Sequence, residues 1–343
     1  MITIKENKPN KMSGITSLFL SFNYNEKVIN EIKKEPIYNF DSKTKEWELP
    51  LTSLSSLLDN LTYLDDIKLI LFKEEEKKDN LKPILNYKTK PFPHQLEGIE
   101  YGLNHDRWLL LDGMGLGKTF QIINIARELK AQKGIQHCLV ICGVNALKSN
   151  WKNEINIHSN ETCRILGENI SKKGRITYSK IPERAKELKE NIDEFFVITN
   201  IETFRYEDIV KAFKTSKNKF DLVIVDEVHK IKNRSSKQGS NLLKIDSPYK
   251  IAATGTLILN NPLDCYMPLK WTHNESSNLT NFKNIYCTFG GFGGHDIVGF
   301  KNLDLLKDEI ENCSLRRTKD LLDLPPKNVI EEILDMSDEQ ADF

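Results

Sequence analysis

From residue 93 onward, short apolar runs alternate with longer stretches in which apolar residues recur at helical spacing. A continuous apolar run without polar alternation is typical of a strand that is buried on both faces. Helical stretches between such strands are typical of βαβ crossovers. The pattern predicts an α/β domain with a central, mostly parallel sheet flanked by helices, whose ligands bind at the carboxyl ends of its strands. The apolar runs cover residues 107–113, 137–143, 195–200, 220–227 and 250–255.

The first 70 residues have a different pattern, which predicts a small α+β domain. A charge run and prolines then predict a linker with little structure of its own over residues 71–90. The α/β domain is expected to span residues 91–336, and residues 337–343 to begin a further linker. Within the first domain the spacing predicts a strand at 15–22, a helix at 25–35, a hairpin at 37–50 with its turn at 41–44, and a helix at 51–61.

Composition limits the classes of protein to which the chain can belong. The 49 basic and 49 acidic residues give a net charge of zero, so any contact with nucleic acid must come from a local arrangement of charges. No apolar run approaches the roughly 18 residues that span a bilayer, and we identify no secretory signal. The six cysteines form no CxxC pair, which favours free thiols in a reducing compartment. We therefore expect a cytoplasmic protein without a membrane partner.

The strongest local signal lies in residues 109–130, where an apolar strand enters a glycine-rich turn that opens a helix. Glycines lack a Cβ, so the backbone N–H groups of such a turn can converge on phosphate oxygens. The helix points its positive end at the same place. Lys118 can reach the β- and γ-phosphates, and Thr119 can offer its hydroxyl to Mg²⁺. The expected ATP-binding loop consists of Asp112, Gly113, Met114, Gly115, Leu116, Gly117, Lys118 and Thr119.

One position departs from the strict phosphate-loop pattern GxxxxGK[ST]. That pattern requires glycine where this chain has Asp112. The alternative interpretation is a glycine-rich turn that only caps a helix. The GKT tripeptide between a strand and a helix favours the phosphate loop.

A second signal is a buried strand, within residues 220–227, that ends in two adjacent carboxylates. Asp226 is expected to hold Mg²⁺ through water, and Glu227 to orient and activate the attacking water. The alternative, a strand that simply ends in surface acids, is common, but the phosphate loop upstream favours the catalytic interpretation. His229 is a candidate for coupling this site to a neighbouring motif. A third and weaker signal is the end of the last apolar run at Thr254, Gly255 and Thr256, whose hydroxyls can sense the γ-phosphate.

Seven segments then occur in an order that resembles the successive motifs of the SWI/SNF-like ATPases of helicase superfamily 2. They are PHQLEGIEYGL, DGMGLGKT, LVICGVNALKSNWKNEI, VITNIETFR, DEVHKIKN, ATGTLILNNPLD and SLRRTKDLLDLPPK. The resemblance covers about residues 90–336 and implies a RecA-like lobe with a DExH box. The family commonly has aspartate at the position of Asp112, which agrees with the departure noted above. It usually has TGTP, whereas this chain has Leu257 after Thr256.

The resemblance also implies roles for residues outside the phosphate loop. Gln95 would read the adenine edge through its amide, and Phe92 would pack near the base. Trp151 has an alternative role as a core residue. The positions at which such motors approach nucleic acid correspond to Asn150, Trp151, Thr199, Glu202 and Thr203.

Two further segments resemble the annealing-helicase branch of that family. Residues 285–322 contain a glycine-rich excursion before the LRRTK block. The N-terminal domain resembles the HepA-related (HARP) module through Asp41, Trp47, Pro50 and Leu51; the alternative is an unrelated αβ cap. We do not assign Arg316 or Arg317 as an arginine finger, because in this family the finger comes from the second motor domain.

These features favour an ATP-dependent translocase or helicase-like motor that acts on double-stranded or forked DNA. Such a motor needs a second RecA-like lobe, in cis or in trans, and we expect this chain to be the ATP-binding half. The alternative is a non-catalytic ATP- and DNA-binding module, or a split-gene subunit that acts through a partner. The intact DEVH sequence favours the motor, because a module that only binds has no need of Glu227. The ordered motifs disfavour a kinase or other P-loop enzyme.

Overall fold

A computed structural model describes residues 2–6, 17–42, 44–61, 67–70, 80–258, 261–272, 274–275, 278–291 and 293–321. The N-terminal elements are β1 (Ile2–Glu6), β2 (Ser17–Phe22), α1 (Glu26–Ile32), β3 (Asn39–Asp41), β4 (Glu46–Pro50), a 3₁₀ turn (Leu51–Ser53), α2 (Leu54–Leu61) and β5 (Ile67–Ile70). The first half of the larger domain contains α3 (Pro93–Leu103), β6 (Arg107–Leu110), α4 (Lys118–Lys133), β7 (His137–Cys142), α5 (Leu147–His158), β8 (Cys163–Ile165), β9 (Glu168–Ile170), β10 (Ile176–Tyr178) and α6 (Ile181–Glu187).

The second half of the larger domain begins with the strand that neighbours β7. Its elements are β11 (Phe196–Asn200), α7 (Glu207–Lys214), β12 (Phe220–Asp226), α8 (Lys237–Leu242), β13 (Tyr249–Ala253), α9 (Tyr266–Trp271), α10 (Leu279–Tyr286), β14 (Cys287–Gly290), β15 (Asp296–Phe300), α11 (Leu303–Asn312) and β16 (Ser314–Leu315). Short 3₁₀ turns lie at Ile201–Arg205, Val228–Ile231, Pro262–Cys265 and Lys319–Leu321.

A parallel sheet of seven strands forms the centre of this domain within the described residues. Its strand order is β16-β6-β13-β12-β7-β11-β8, and every neighbouring pair is parallel. The predicted fold class, a RecA-like α/β domain with a central parallel sheet, is confirmed. The strands β6, β13, β12 and β7 lie side by side, so their carboxyl ends meet at one edge, where ligands of such sheets bind.

The apolar runs form strands because both faces of the sheet are covered. On β7, Leu139 and Ile141 belong to one hydrophobic core, whereas Cys138 and Val140 belong to the other. Successive side chains of a strand point to opposite faces. A strand between two cores therefore has no exposed face, and no polar alternation is needed.

Two strands of the sheet were not predicted from the sequence. β8 has three residues and β16 has two, which is too short for a hydrophobic pattern to stand out. β16 lies within the SLRRTK block and pairs with β6. That pairing involves segments about 200 residues apart in the chain, and no local pattern indicates it.

The N-terminal residues form a separate sheet of strand order β3-β4-β2-β1-β5. Leu18, Leu20, Val28 and Ile32 are fully buried between the sheet and the helices. The predicted strand, hairpin and helices are observed, whereas β1 and β5 were not predicted. Trp47 packs against two exposed aromatic rings of this sheet, with centroid distances of 5.9 Å to Tyr38 and 4.9 Å to Phe40. Residue 43 of the predicted turn lies outside the described residues.

Residues 80–92 have no regular helix or strand, yet they are held firmly on the α/β domain. The backbone N–H groups of Ile84 and Leu85 donate to Glu128 at 3.0 and 2.9 Å, and the Tyr87 hydroxyl donates to the same carboxylate at 2.9 Å. Glu128 lies on α4 with no exposed surface, and a buried carboxylate requires such donors. This part of the expected linker is therefore fixed in place. Residues 71–79 lie outside the described residues.

No helix among the described residues combines the length and the apolar character required to cross a membrane.

Candidate nucleotide-binding site

The glycine-rich loop leaves the carboxyl end of β6 and turns into α4. Gly115 and Gly117 have φ angles of +87° and +74°, a conformation that glycine adopts without strain. A Cβ on Gly117 would lie 2.2 Å from the side-chain nitrogen of Gln95. Glycine at position 117 is therefore required both by the backbone conformation and by the close approach of α3.

Lys118 is the first residue of α4, and its side chain folds back over the loop. Its Nζ donates to the carbonyl oxygens of Asp112 at 2.8 Å and Gly113 at 3.3 Å. Burial lowers the pKa of Lys118, and the negative charges of Glu227, Asp226 and Asp112 oppose that shift. The ammonium group thus bonds the loop and is close enough to Asp226 and Glu227 for their charges to act on it. A cation at the start of a helix, beside a loop of converging N–H groups, fits a polyphosphate.

The two carboxylates predicted to act together lie at the end of β12: Asp226 is its last residue and Glu227 follows it. Burial raises the pKa of Asp226, and the hydrogen bond from the indole of Trp151 to its Oδ2, at 2.9 Å, opposes the shift. The backbone N–H of Glu227 donates to Asp226 Oδ1 at 3.0 Å. The Asp226 carboxylate and the Thr119 hydroxyl are oxygen ligands of the kind that Mg²⁺ prefers. Their assignment as metal ligands stays a prediction.

Glu227 has an unusual backbone conformation. Its φ of +54° lies in the left-handed region, which is costly for a residue with a Cβ and is concentrated at functional sites. Gly143, directly after β7, makes room for it: a Cβ on Gly143 would lie 2.7 Å from the Cβ of Glu227. Gly143 was missed by the sequence analysis, although a glycine directly after a buried strand was a signal available there.

His229 and Thr254 join the carboxylate to the neighbouring strand. His229 Nδ1 lies 3.2 Å from Glu227 Oε2 and 3.0 Å from the Thr254 hydroxyl. That hydroxyl also accepts from the backbone N–H of Thr256 at 3.1 Å. These contacts place the predicted coupling residues in one hydrogen-bonded chain. Leu257, at the family's usual proline position, is buried in the core beneath them.

Gly255 brings the end of β13 against the phosphate loop. A Cβ on Gly255 would lie 3.1 Å from Met114 Cγ and 3.6 Å from Lys118 Nζ. Three segments that are far apart in sequence, around residues 112–119, 226–229 and 254–256, therefore meet at one edge of the sheet. Met114 itself is 70% exposed, whereas Leu116 is fully buried beneath the loop.

The side chain of Asp112 is bound within the protein. It has no exposed surface and is bound by Arg317, whose Nε and Nη2 lie 3.0 and 2.6 Å from its two oxygens. Gln121 donates to the same carboxylate at 2.9 Å. Asp112 therefore cannot offer its carboxylate to a nucleotide, although its main chain lines the loop. The backbone N–H of Gly113 also donates to the carbonyl of Arg317 at 2.9 Å, so the residues after β16 support the loop.

The two residues expected near the adenine base differ in accessibility. Phe92 is 59% exposed, and its ring stacks on His94 with centroids 5.9 Å apart. Gln95 is buried; its Oε1 accepts from the Phe92 backbone N–H at 3.0 Å and its Nε2 lies 3.4 Å from the Leu116 carbonyl. In this conformation the Gln95 amide bonds the protein backbone on both sides. The imidazole of His94, which the sequence analysis did not single out, contacts the same carbonyl at 3.0 Å.

Three of the five side chains expected to approach nucleic acid are buried; the predicted approach of these five positions to DNA stays a prediction. Trp151 is 1% exposed and hydrogen-bonds to Asp226, so its alternative role in the core is the one observed. Thr199 and Thr203 are each 2% exposed. These three side chains have no surface to offer to DNA. Asn150 and Glu202 are exposed.

Comparison with known families shows which family the chain belongs to. Residues 94–343 match the SNF2-related domain. The chain belongs to this family. The match begins in α3 and includes the phosphate loop, the carboxylates at the end of β12 and the SLRRTK block, so of the site residues described above only Phe92 lies outside it.

Relatives of this SNF2-related chain are much longer proteins. It is 31% identical over 255 residues to the DNA annealing helicase and endonuclease ZRANB3 of Bos taurus. That alignment covers 70% of this chain and 22% of the relative. It is 26% identical over 280 residues to a SWI/SNF-related matrix-associated actin-dependent regulator of chromatin subfamily A-like protein 1 homolog of Caenorhabditis elegans, covering 76% of this chain and 37% of the relative.

Solved structures show the same fold. The SWI2/SNF2 ATPase core of Sulfolobus solfataricus in complex with double-stranded DNA aligns with a TM-score of 0.55 at 24% identity, over 72% of this chain and 49% of that one. At this identity the likeness establishes the shared fold of the SNF2-related lobe.

Proposed function

We propose that this chain is the ATP-binding lobe of a DNA-dependent motor that hydrolyses ATP with Mg²⁺ and moves along double-stranded DNA. One observation carries the proposal: the Lys118 ammonium bonds the phosphate loop and is close enough to Asp226 and Glu227 for their charges to act on it. A cation for the phosphates and carboxylates for the metal and the water are the parts that phosphoryl transfer to water requires. Family membership supports the same reaction.

Each residue of the site has a proposed role. Lys118 and the loop N–H groups hold the β- and γ-phosphates, and Thr119 and Asp226 hold Mg²⁺, which neutralises phosphate charge when bound. Glu227 positions the attacking water and accepts its proton. His229 and Thr254 link Glu227 to the end of β13, so a change at the γ-phosphate reaches a neighbouring strand. Phe92 is available to pack on the base, with Gln95 holding α3 against the loop.

A non-catalytic ATP- and DNA-binding module is the alternative. Glu227 is held in a strained conformation, made possible by Gly143 and connected to His229. Strain of this kind persists only where the surrounding structure enforces it. A module that only binds nucleotide gains nothing from it, so the site favours hydrolysis.

Double-stranded or forked DNA is the proposed track. The Sulfolobus structure with the same fold contains double-stranded DNA, and one relative is named a DNA annealing helicase. Of the side chains predicted to approach DNA, Asn150 and Glu202 remain candidates because they are exposed. Asn150 lies on α5, the helix after β7, and Glu202 lies in the 3₁₀ turn after β11.

Replacing Lys118 by alanine is expected to weaken the binding of ATP·Mg²⁺ at least about tenfold. The change removes a charge-assisted contact worth roughly 1.5–3 kcal/mol. Titration calorimetry measures the affinity. Lys133→Ala is the matched control, because Lys133 is exposed at the other end of the same helix. Equal affinity of the Lys118 variant and the wild type would contradict the assignment.

The polypeptide of residues 1–343, assayed alone, is expected to hydrolyse ATP very slowly even with saturating duplex DNA. We propose that a second RecA-like lobe supplies an arginine to the γ-phosphate, a contribution of about 10³–10⁵ in rate in other P-loop enzymes. Arg317 cannot substitute for it, because its guanidinium is bound to Asp112. A phosphate-release assay with and without DNA, and then with a separately expressed second lobe, measures the effect. Rapid DNA-stimulated turnover by 1–343 alone would overturn the need for a second lobe.

A further inference from the structure

Phe92 is a large, exposed aromatic residue whose backbone is conformationally restricted. Its side chain is 59% exposed, and its ring stacks on His94. Pro91 and Pro93 flank it in the sequence. A proline fixes its own φ angle and restricts the residue before it to extended backbone, and Phe92 has φ −77° and ψ 156°. A ring on such a backbone loses little conformational freedom when it packs on a flat ligand.

Residues 81–92 form a segment without helix or strand, here called the strap, that ends at this ring. Thr89 is the anchor of the strap nearest to the ring. Its hydroxyl lies 2.6 Å from Nδ1 of His158, the last residue of α5. Only two residues separate Thr89 from Phe92, and one of them is Pro91. A shift at this anchor therefore reaches the ring through a short and stiff piece of backbone.

The strap is also fixed at the carboxyl end of α5 and on α4. Lys88 donates through Nζ to the carbonyl of Asn156 at 2.6 Å and to that of Ser159 at 3.2 Å. A cation is stabilised at the carboxyl end of a helix. The ring of Tyr87 packs edge-on against that of Phe120, with centroids 6.4 Å apart. The strap thus contacts two helices of the lobe before it reaches the exposed ring.

Glu128, on α4, is the most deeply buried anchor. It has no exposed surface and accepts from the backbone N–H groups of Ile84 at 3.0 Å and Leu85 at 2.9 Å, and from the Tyr87 hydroxyl at 2.9 Å. Burial raises the pKa of Tyr87, and the hydrogen bond to Glu128 adds to the shift, so the hydroxyl stays protonated and donates. A buried carboxylate that lost these donors would be costly. The bound position of the strap is therefore favoured.

Glu128 is remote from the phosphate loop. It lies ten residues after Lys118 in the same helix, which is about 15 Å along the helix axis. A side chain at that distance does not reach the phosphates that Lys118 is proposed to hold. Any effect of Glu128 on nucleotide binding must therefore pass through the residues that it fixes, and those belong to the strap.

We propose that Glu128 and Thr89 are positioning residues for the nucleotide base: they fix the strap, and the strap holds the Phe92 ring where it packs on adenine. Both act through the strap, and neither contacts the nucleotide. Loosening the strap weakens the binding of a nucleotide that carries a base, and it leaves the binding of a bare triphosphate unchanged. This inference rests on the proposed function, in which the lobe binds ATP.

Titration calorimetry of residues 1–343 with ATP·Mg²⁺ and with magnesium tripolyphosphate tests the role of the strap. Thr89→Val and Glu128→Gln are each expected to weaken ATP binding about fivefold, the order of one aromatic contact, and to change tripolyphosphate affinity by less than about twofold. Thr89→Val keeps the size of the side chain and leaves no buried carboxylate unpaired, so it tests the strap even where Glu128→Gln fails to fold. Thr215→Val, the same change at an exposed position, should alter neither affinity.

A double-mutant cycle tests whether the strap acts through the ring. Phe92→Ala is expected to weaken ATP binding at least as much as Thr89→Val, and adding Thr89→Val to Phe92→Ala should weaken it no further. Additive losses, unchanged ATP affinity of Thr89→Val, or equal losses of ATP and tripolyphosphate affinity would overturn the role of the strap alone. If the wild type binds neither ATP nor tripolyphosphate, the proposed function itself fails.

Discussion

Replacing Glu227 by glutamine is expected to lower the rate of ATP hydrolysis by about 10²–10⁴-fold, the range for loss of a positioned general base. The affinity for ATP·Mg²⁺ should stay close to that of the wild type. Glu227 acts on the water and not on the nucleotide in the ground state. The variant should therefore lower kcat and leave nucleotide affinity unchanged. Glutamine keeps the size of the side chain and its hydrogen bonding to His229, but it cannot accept the proton.

Single-turnover hydrolysis, with protein in excess over ATP, measures this effect even where turnover is slow, and calorimetry measures the affinity. Glu190→Gln is the matched control, because it makes the same chemical change at an exposed position. A Glu227→Gln variant that hydrolyses ATP at the wild-type rate would show that the general base lies elsewhere.

A third variant, Glu227→Gly, separates catalysis from stability. Glycine adopts a φ of +54° without strain, so this variant should fold at least as stably as the wild type while losing hydrolysis.

Replacing Arg317 by methionine is expected to lower the free energy of unfolding by about 3–5 kcal/mol. Arg317 is 10% exposed, and its partner Asp112 has no exposed surface. Without the guanidinium, the Asp112 carboxylate stays buried and keeps only the hydrogen bond from Gln121. Arg317 also donates to the His94 carbonyl, so the variant loosens α3 as well as the phosphate loop. ATP affinity should fall with stability, because the loop loses its support.

Urea denaturation measures the change, and Arg316→Met supplies the control. Arg316 is the neighbouring arginine and is exposed, so its replacement should change stability by less than about 0.5 kcal/mol. The double variant Asp112→Asn with Arg317→Met removes both charges and should recover much of the loss, since a buried neutral pair avoids the unpaired carboxylate. Equal stability of Arg317→Met and the wild type would show that the pair contributes nothing.

Much of the sheet could be predicted from the sequence. The runs at residues 137–143 and 220–227 are continuous because β7 and β12 lie between two cores, and each run corresponds to one strand. β16 could not be predicted in the same way. Its two residues become a strand only because β6 is beside them.

The candidate site likewise has parts that the sequence predicts and parts that it does not. The loop from Gly113 to Lys118 was predictable because its conformation depends on glycines that are adjacent in the chain. The pairing of Asp226 with Glu227 was predictable because the two residues are adjacent at the end of one strand. The burial of Trp151, Thr199 and Thr203 was not, because a motif shows which residues occur together but not which of them face solvent.

The fold class, the phosphate loop and the position of the two carboxylates could be predicted from the sequence, because each depends on patterns among residues that are close together in the chain. The surroundings of Asp112 and Trp151, in contrast, are set by the tertiary structure. Asp112 is bound by an arginine 205 residues later in the chain, and Trp151 by a carboxylate 75 residues later. Whether a charged or aromatic side chain meets a ligand, a partner or the core depends on its burial and its neighbours. Those are set by contacts between distant segments, which no local pattern encodes.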